Sequence, residues 1–302
     1  MFNGKALYNP GGKAGEYGRW AINFYNGCPN GCDYCYLNKG VYASVMGHGV
    51  PRLKESLKKA LPEGITATDG SNKKISVPDE AKAYVIAVTE IKAHREEIIR
   101  DGGVFFSFST DPCLDETIKL TLLTALYCVT DNIPVTILTK CADWVYSEDT
   151  NVRALMNAAR EHKNTLAVGF TLTGHDEFEK GASPNAERLR AMKYLHDKGV
   201  LTWASIEPVI DYQSSLRMIR ESVPFCDHFK VGLLSGAPKG TYTLDDTVSF
   251  INDVRGLLKG TRKTVYWKQS IRDVIGGGSP IGYNFVEADW NIFIGNLDKR
   301  TL

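Results

Sequence analysis

Three cysteines crowd into the segment Cys28-Pro29-Asn30-Gly31-Cys32-Asp33-Tyr34-Cys35-Tyr36. Thiolates spaced by three and then two residues can curl around one compact metal centre, and Gly27 and Gly31 permit the tight backbone this needs. Flanked by Pro, Asn and Gly, the three do not read as core packing. The informative number is three rather than four. A structural zinc or a closed iron–sulfur cluster takes four protein ligands, whereas three thiolates on a four-iron cube leave one iron open to an outside ligand. Zinc is the competing reading. It would recruit His48, thirteen residues past Cys35, or borrow Cys113, Cys128, Cys141 or Cys226.

The rest of the chain must supply a scaffold for these thiols. Its 302 residues are 43% hydrophobic and 24% charged, enough for a buried core, which excludes a disordered or collagen-like chain. Thirty-six basic residues balance 35 acidic ones, so the net charge of +1 gives no global field to draw in a polyanion. Seven cysteines, an odd count in a chain too large to need staples, fit a reducing compartment and a metal site better than disulfides. The longest apolar stretch, Leu120 to Val129, is far short of the roughly 20 residues that span a bilayer. Met1 to Pro10 has no charged start followed by an apolar block. These features predict a cytoplasmic protein.

Strand-like and helix-like runs alternate in the order of repeated βα units. The patterning predicts strands at Arg19–Tyr25, Val104–Ser109, Val135–Thr139, Leu166–Leu172, Leu201–Ile206 and His228–Leu234. It predicts helices from Pro78 to about Gly102, then over Glu116–Thr130, Asn151–His162, Ala186–Lys198, Ser214–Ser222 and Leu244–Leu258. Six such units suit an open doubly wound sheet or a partial barrel, and periodicity does not choose between them. In both, loops at the C-terminal edge of the sheet carry the active site, and the cysteines follow the first strand. Residues 61–77, with Pro62, Gly64, Gly70 and Lys73-Lys74, read as a solvated loop insertion. The expected organisation is a lead-in over 1–18, a core domain over 19–260 and a C-terminal extension over 261–302 packed on the core.

Cys-x3-Cys-x2-Cys with an aromatic before the last cysteine resembles the signature of radical S-adenosylmethionine (SAM) enzymes. The resemblance extends to the spore photoproduct lyase-like branch. It is carried by Gly12-Lys13-Ala14-Gly15-Glu16-Tyr17, by Val104-Phe105-Phe106-Ser107-Phe108-Ser109-Thr110-Asp111-Pro112 and by Val135-Thr136-Ile137-Leu138-Thr139-Lys140, and it covers most of residues 12 to 240. It implies an α/β fold, a partial (β/α)6 TIM-like barrel of the radical SAM type with a C-terminal extension. It also implies a [4Fe-4S] cluster on Cys28, Cys32 and Cys35, with SAM on the open iron. One electron would then split SAM to methionine and a 5′-deoxyadenosyl radical that removes a hydrogen atom from the substrate.

The resemblance assigns further roles by position. Tyr34 matches the aromatic near the adenine. The family's Gly-Gly-Glu motif after the second strand is missing, since Gly102-Gly103 precede that strand; Ser109, Thr110 and Asp111 hold the equivalent strand end, where they could accept from the SAM ammonium. Lys140 matches the lysine that pairs with the SAM carboxylate. Thr171 or Thr173 could bind the carboxylate or ribose, and Ser205 with Glu207 the ribose hydroxyls. The chain departs from the branch at Phe108, where spore photoproduct lyase carries the cysteine that returns a hydrogen atom to the product. This puts the repair reaction in doubt and leaves Cys113 or Cys141, each following a predicted strand, as alternative hydrogen donors. The implied partners are a flavodoxin or ferredoxin-type electron donor and, by analogy with the branch alone, a nucleic acid or nucleobase-like substrate. The other reading is a non-catalytic module whose zinc or iron–sulfur centre helps grip nucleic acid.

Overall fold

The computed structural model describes residues 1–46, 49–59, 61–62, 64–68, 71–73 and 75–294. His48, Gly70 and Lys74 lie outside the described residues.

By contact the chain divides into two compact units. The first comprises 1–29, 37–136 and 149–165, and the second 30–36, 137–148 and 166–302. In the first unit, β1 (Leu7–Tyr8) pairs antiparallel with β2 (Ala21–Ile22), and β2 pairs parallel with a later strand, β5 (Val104–Phe106). A separate ribbon joins β3 (Tyr25–Asn26) to β4 (Arg52–Leu53). The helices of this unit are α1 (Gly40–Val45), α2 (Asp79–Ala93), α3 (Arg95–Arg100), α4 (Ile118–Thr130) and α5 (Thr150–Glu161). From the first unit the chain enters the second through β6 (Val135–Thr139).

In the second unit β7 (Leu166–Thr171), β8 (Leu201–Val209), β9 (His228–Leu233), β10 (Thr264–Trp267) and β11 (Phe285–Val286) run parallel in that order. Its helices are α6 (Asn185–Asp197), α7 (Tyr212–Ser222), α8 (Leu244–Leu258) and α9 (Gln269–Val274). Every residue of β7 is buried, as expected of a parallel strand covered on both faces, where apolar residues run together rather than alternate. The helices cover those faces with apolar stripes, and α7 and α8 start at side-chain caps. Asp211 accepts from Ser214 N at 2.8 Å, and Thr243 accepts from Asp246 N at 3.2 Å. The whole is an α/β fold with a mostly parallel central sheet, and among the described residues no strand pairing closes it into a full barrel. No described helix is long and apolar enough to cross a membrane.

Most predicted elements appear within a few residues of their expected bounds, and three differences have physical causes. The strand expected over Arg19–Tyr25 is two short strands in different sheets. Between them lies buried Asn23, whose side chain donates to Tyr8 Oη at 2.8 Å and accepts from Phe108 N at 2.8 Å, so its polar needs divert the strand. The helix from Pro78 breaks at His94, whose ψ of 17° separates α2 from α3. The strand expected to reach Ser109 ends at Phe106, and Ser107 Oγ instead donates to Thr110 O at 2.8 Å in the turn that follows. Residues 264–267, within the expected C-terminal extension, form β10, all four residues buried beside β9.

Candidate functional site

Cys28 follows β3, and the backbone just before it and just before Cys32 takes a conformation that glycine adopts freely. Gly27 has φ +95° and Gly31 φ +58°. In the first unit the lead-in lies beside the end of β5. Gly27 N donates to Ser109 O at 3.2 Å, and Ser109 Oγ donates to Tyr25 O at 2.5 Å. Ser109, Thr110 and Asp111 are all buried. Asp111 Oδ1 accepts from Cys113 N at 3.0 Å, a local turn that fixes buried Cys113 just behind it. Thr110 differs from its neighbours: its Oγ1 is buried with no hydrogen-bond partner among the described residues. An orphaned hydroxyl of this kind costs about 1–3 kcal/mol unless a ligand satisfies it. Phe108 stacks on Phe105 at 4.6 Å and meets Tyr17 edge-on at 6.0 Å, so the position at which the branch has its cysteine is part of an aromatic cluster.

The second unit holds Cys32 and Cys35 on a tight turn in which Cys35 N donates to Cys32 O at 3.0 Å. Cys32 is buried and Cys35 half-buried. Burial pushes the Cys32 thiol pKa up, and the nearby Lys140 cation pulls against it. Lys140, just past the end of β6, places its Nζ 5.5 Å from the centroid of the Tyr34 ring, a cation–π contact. Cys32, Tyr34 and Lys140 are thereby gathered in one neighbourhood. Cys141, beside Lys140, is half-buried with its N–H on Thr139 Oγ1 at 2.9 Å.

The sequence did not single out three further residues with buried partners, Glu179, Arg188 and Lys268, of which the first two adjoin Tyr34. The Tyr34 hydroxyl donates to Glu179 Oε1, while Glu179 Oε2 accepts from Thr173 Oγ1 at 3.1 Å and lies 2.7 Å from Arg188 Nη2. Both charged side chains are wholly buried. Burial and the Glu179 charge hold the Tyr34 phenol well above its usual pKa, so it stays a donor. Thr171, at the end of β7, is buried and gives its carbonyl to Arg188 Nη1 at 2.8 Å. Opposite it in register on β8 stands buried Ser205, and two residues on Glu207 accepts from Lys268 Nζ at 2.6 Å. Lys268, just past β10, is the third missed residue. Lys140, Thr173 and Lys268 therefore lie just past C-terminal strand ends and Glu207 two residues before the end of β8, near the edge where such folds carry active sites. His175 is used in turn packing: Nε2 is 2.5 Å from Asp211 Oδ2 and Nδ1 2.7 Å from Glu177 Oε1.

The donor set suits a cluster. All seven cysteines are described and none forms a disulfide. Among the described residues no three His, Cys, Asp or Glu side chains converge on a point for a single metal ion; a cube, which takes one thiolate per iron, does not require such convergence.

The chain matches no known protein-family model and no curated protein. It does resemble solved structures. Against SuiB of Streptococcus suis bound to S-adenosylmethionine the identity is 11% and the TM-score 0.51, over 89% of this chain and 57% of SuiB. A variant of spore photoproduct lyase gives 13% identity and a TM-score of 0.46, over 91% of this chain and 65% of that one. SuiB bound to precursor peptide SuiA gives 11% and 0.43, over 77% and 69%. The chain thus spans less than two thirds of the SAM-bound SuiB. The likeness to SuiB is one of fold, an open α/β arrangement around a mostly parallel sheet.

Proposed function

We propose that this chain is a radical SAM enzyme, with Cys28, Cys32 and Cys35 as the three thiolate ligands of a [4Fe-4S] cluster. When bound, the cluster would supply the electron that cleaves SAM reductively to a 5′-deoxyadenosyl radical, which abstracts hydrogen from the substrate. The observation that carries the reading is the joining of buried Cys32 with half-buried Tyr34 and Lys140 past a strand end, in a fold like that of SAM-bound SuiB.

In this reading the chain's own residues bind and orient. Lys140 sits beside the cysteine turn as a fixed cation suited to the SAM carboxylate. Thr110 offers its unpartnered hydroxyl, with Ser109 and Asp111, to the SAM ammonium. Glu207, accepting from Lys268, is a suitable acceptor for ribose hydroxyls, with Thr171 and Ser205 nearby in register. Tyr34 offers a ring face to the adenine. Cys113 and Cys141 are the proposed hydrogen donors to a product radical, from the loops after β5 and β6. The electron would come from a flavodoxin or ferredoxin-type protein, and a nucleic-acid-related substrate is the first to try. A cytoplasmic location belongs to the same reading.

The test is anaerobic reconstitution with iron and sulfide, then reduction in the presence of SAM. The enzyme yields 5′-deoxyadenosine and an EPR signal that changes on adding SAM. Zinc-loaded protein without either would favour the nucleic-acid-binding module.

A further inference from the structure

The buried Glu179–Arg188 pair is not explained by any role assigned above. Burying two charges costs several kcal/mol per ion, repaid only by close geometry and full hydrogen bonding. The geometry is close, with Nη2 and the carboxylate 2.7 Å apart, and most of the remaining polar atoms are paired, although Nη2 itself makes an ion pair without a hydrogen bond. Besides its contact with Glu179, the guanidinium donates from Nε to Ser183 O at 2.6 Å and from Nη1 to Thr171 O at 2.8 Å. The carboxylate in turn accepts from Tyr34 and Thr173 and faces Arg188 as an ion pair.

What the pair holds is a strap, residues 178–183, laid along the cysteine turn. Asp33 N donates to Phe178 O at 3.0 Å and Gly181 N donates to Asn30 O at 3.0 Å, on either side of Glu179. The far end of the strap is tied to the loop after β6: Ser183 N donates to Lys140 O at 3.0 Å, and Ser183 Oγ accepts from Ala142 N at 2.9 Å. Within the turn, Cys35 N donates to Cys32 O and Cys32 Sγ lies 4.0 Å from Asn30 O. A ligand loop of that kind normally orders only when metal binds, and the ordering cost is subtracted from the affinity.

We propose that Glu179, fixed by Arg188, is a positioning residue: by receiving the Tyr34 hydroxyl it holds the Cys32–Cys35 turn in ligand-ready shape before any metal arrives. This rests on the functional reading above for the identity of the metal group, but the ordering of the turn is testable without it. Glu179→Ala would strand a buried arginine and can unfold the unit, so Tyr34→Phe carries the test; it keeps the ring and leaves Glu179 with Thr173 and Arg188.

In metal-free protein, hydrogen exchange at the amides of Asp33 to Tyr36 should be about tenfold faster in Tyr34→Phe, the worth of one hydrogen bond to a charged acceptor. Exchange in α6 and β8 should stay at the parental rate. In iron-loaded protein, a chelator should strip iron about tenfold faster, and the cluster's midpoint potential should move from the parental value as the turn shifts against the sulfurs. Parental exchange at these four amides overturns the proposal. So does faster exchange spread equally through α6 and β8, which would make the contact a general stabiliser. Should the parent bind no iron at all, the functional reading falls while the exchange measurement still decides the role of Glu179.

Discussion

Lys268 and Glu207 meet at 2.6 Å although 61 residues separate them, Lys268 just beyond β10 and Glu207 near the end of β8. The lysine is 2% exposed and the carboxylate 20%. Gly232 on β9 is the floor beneath them: a Cβ there would lie 2.9 Å from both Glu207 Oε1 and Lys268 Cδ. Removing the cation leaves a largely buried carboxylate uncompensated, so Lys268→Met should cost about 3 kcal/mol, the low end for a broken buried pair because Glu207 keeps some solvent. Urea unfolding measures this. In the proposed enzyme the same variant should also raise the KM for SAM, since Glu207 would no longer be held in place.

Thr110→Val makes an unusual pair of outcomes. Deleting an orphaned hydroxyl at constant shape should leave the ligand-free protein as stable as the parent or more stable by about 1 kcal/mol. If the hydroxyl serves the SAM ammonium, affinity for SAM should nevertheless fall about tenfold, from the loss of one hydrogen bond to a charged group. Denaturation and equilibrium binding on the same samples test both. Lower stability with unchanged affinity would remove Thr110 from the site.

Gly169→Ala probes the packing that carries the strand ends. Gly169 on β7 lies in register with Trp203 on β8, and an added Cβ would fall 2.1 Å from the indole Cε2. Trp203 is 2% exposed and cannot swing clear. Overpacking of this severity should cost about 3 kcal/mol or more, read as a drop in the thermal or urea midpoint.

His175 predicts a pH dependence. Partial burial opposes charge on the ring, but hydrogen bonds to Glu177 and Asp211 outweigh it and raise the pKa above 6.5. A raised value means the folded chain holds the proton more tightly than the unfolded chain does. The stabilisation is therefore fully present below the ordinary histidine range and is lost as pH rises through the folded value. Asp211, held below 3.8 by its hydrogen bonds despite burial, loses its contribution only in acid and does not confuse this window. The urea midpoint of the parent should fall between about pH 6 and pH 8, the range of histidine titration, and His175→Gln should flatten that fall. Equal slopes would show that the ring does not titrate against these carboxylates.

How far the sequence reaches is clear from particular residues. The bounds of β6 and α8 match their patterns, because Val135–Thr139 alternates and Leu244–Leu258 carries a clean apolar stripe. The cysteine spacing is plain in the sequence, while Lys140 and Glu207 stand out there only through the resemblance and their places at predicted strand ends. Glu179 and Arg188 do not stand out. Glu179 sits in a short polar segment between a predicted strand and helix, Arg188 is one charged residue within the predicted helix Ala186–Lys198, and Tyr34 lies 145 residues from its partner. Their meaning exists only once the chain has folded. Lys268 escaped for a related reason: β10 is four residues long and too short to declare a period, so the lysine at its end had no visible strand to terminate.

The most direct test is to reduce the iron-reconstituted protein with SAM and assay 5′-deoxyadenosine, alongside single Cys28→Ala, Cys32→Ala and Cys35→Ala variants. The account predicts 5′-deoxyadenosine from the parent and none above background from any variant. No product from a parent that carries a full four-iron cluster, or undiminished product from any one of the three variants, would contradict it.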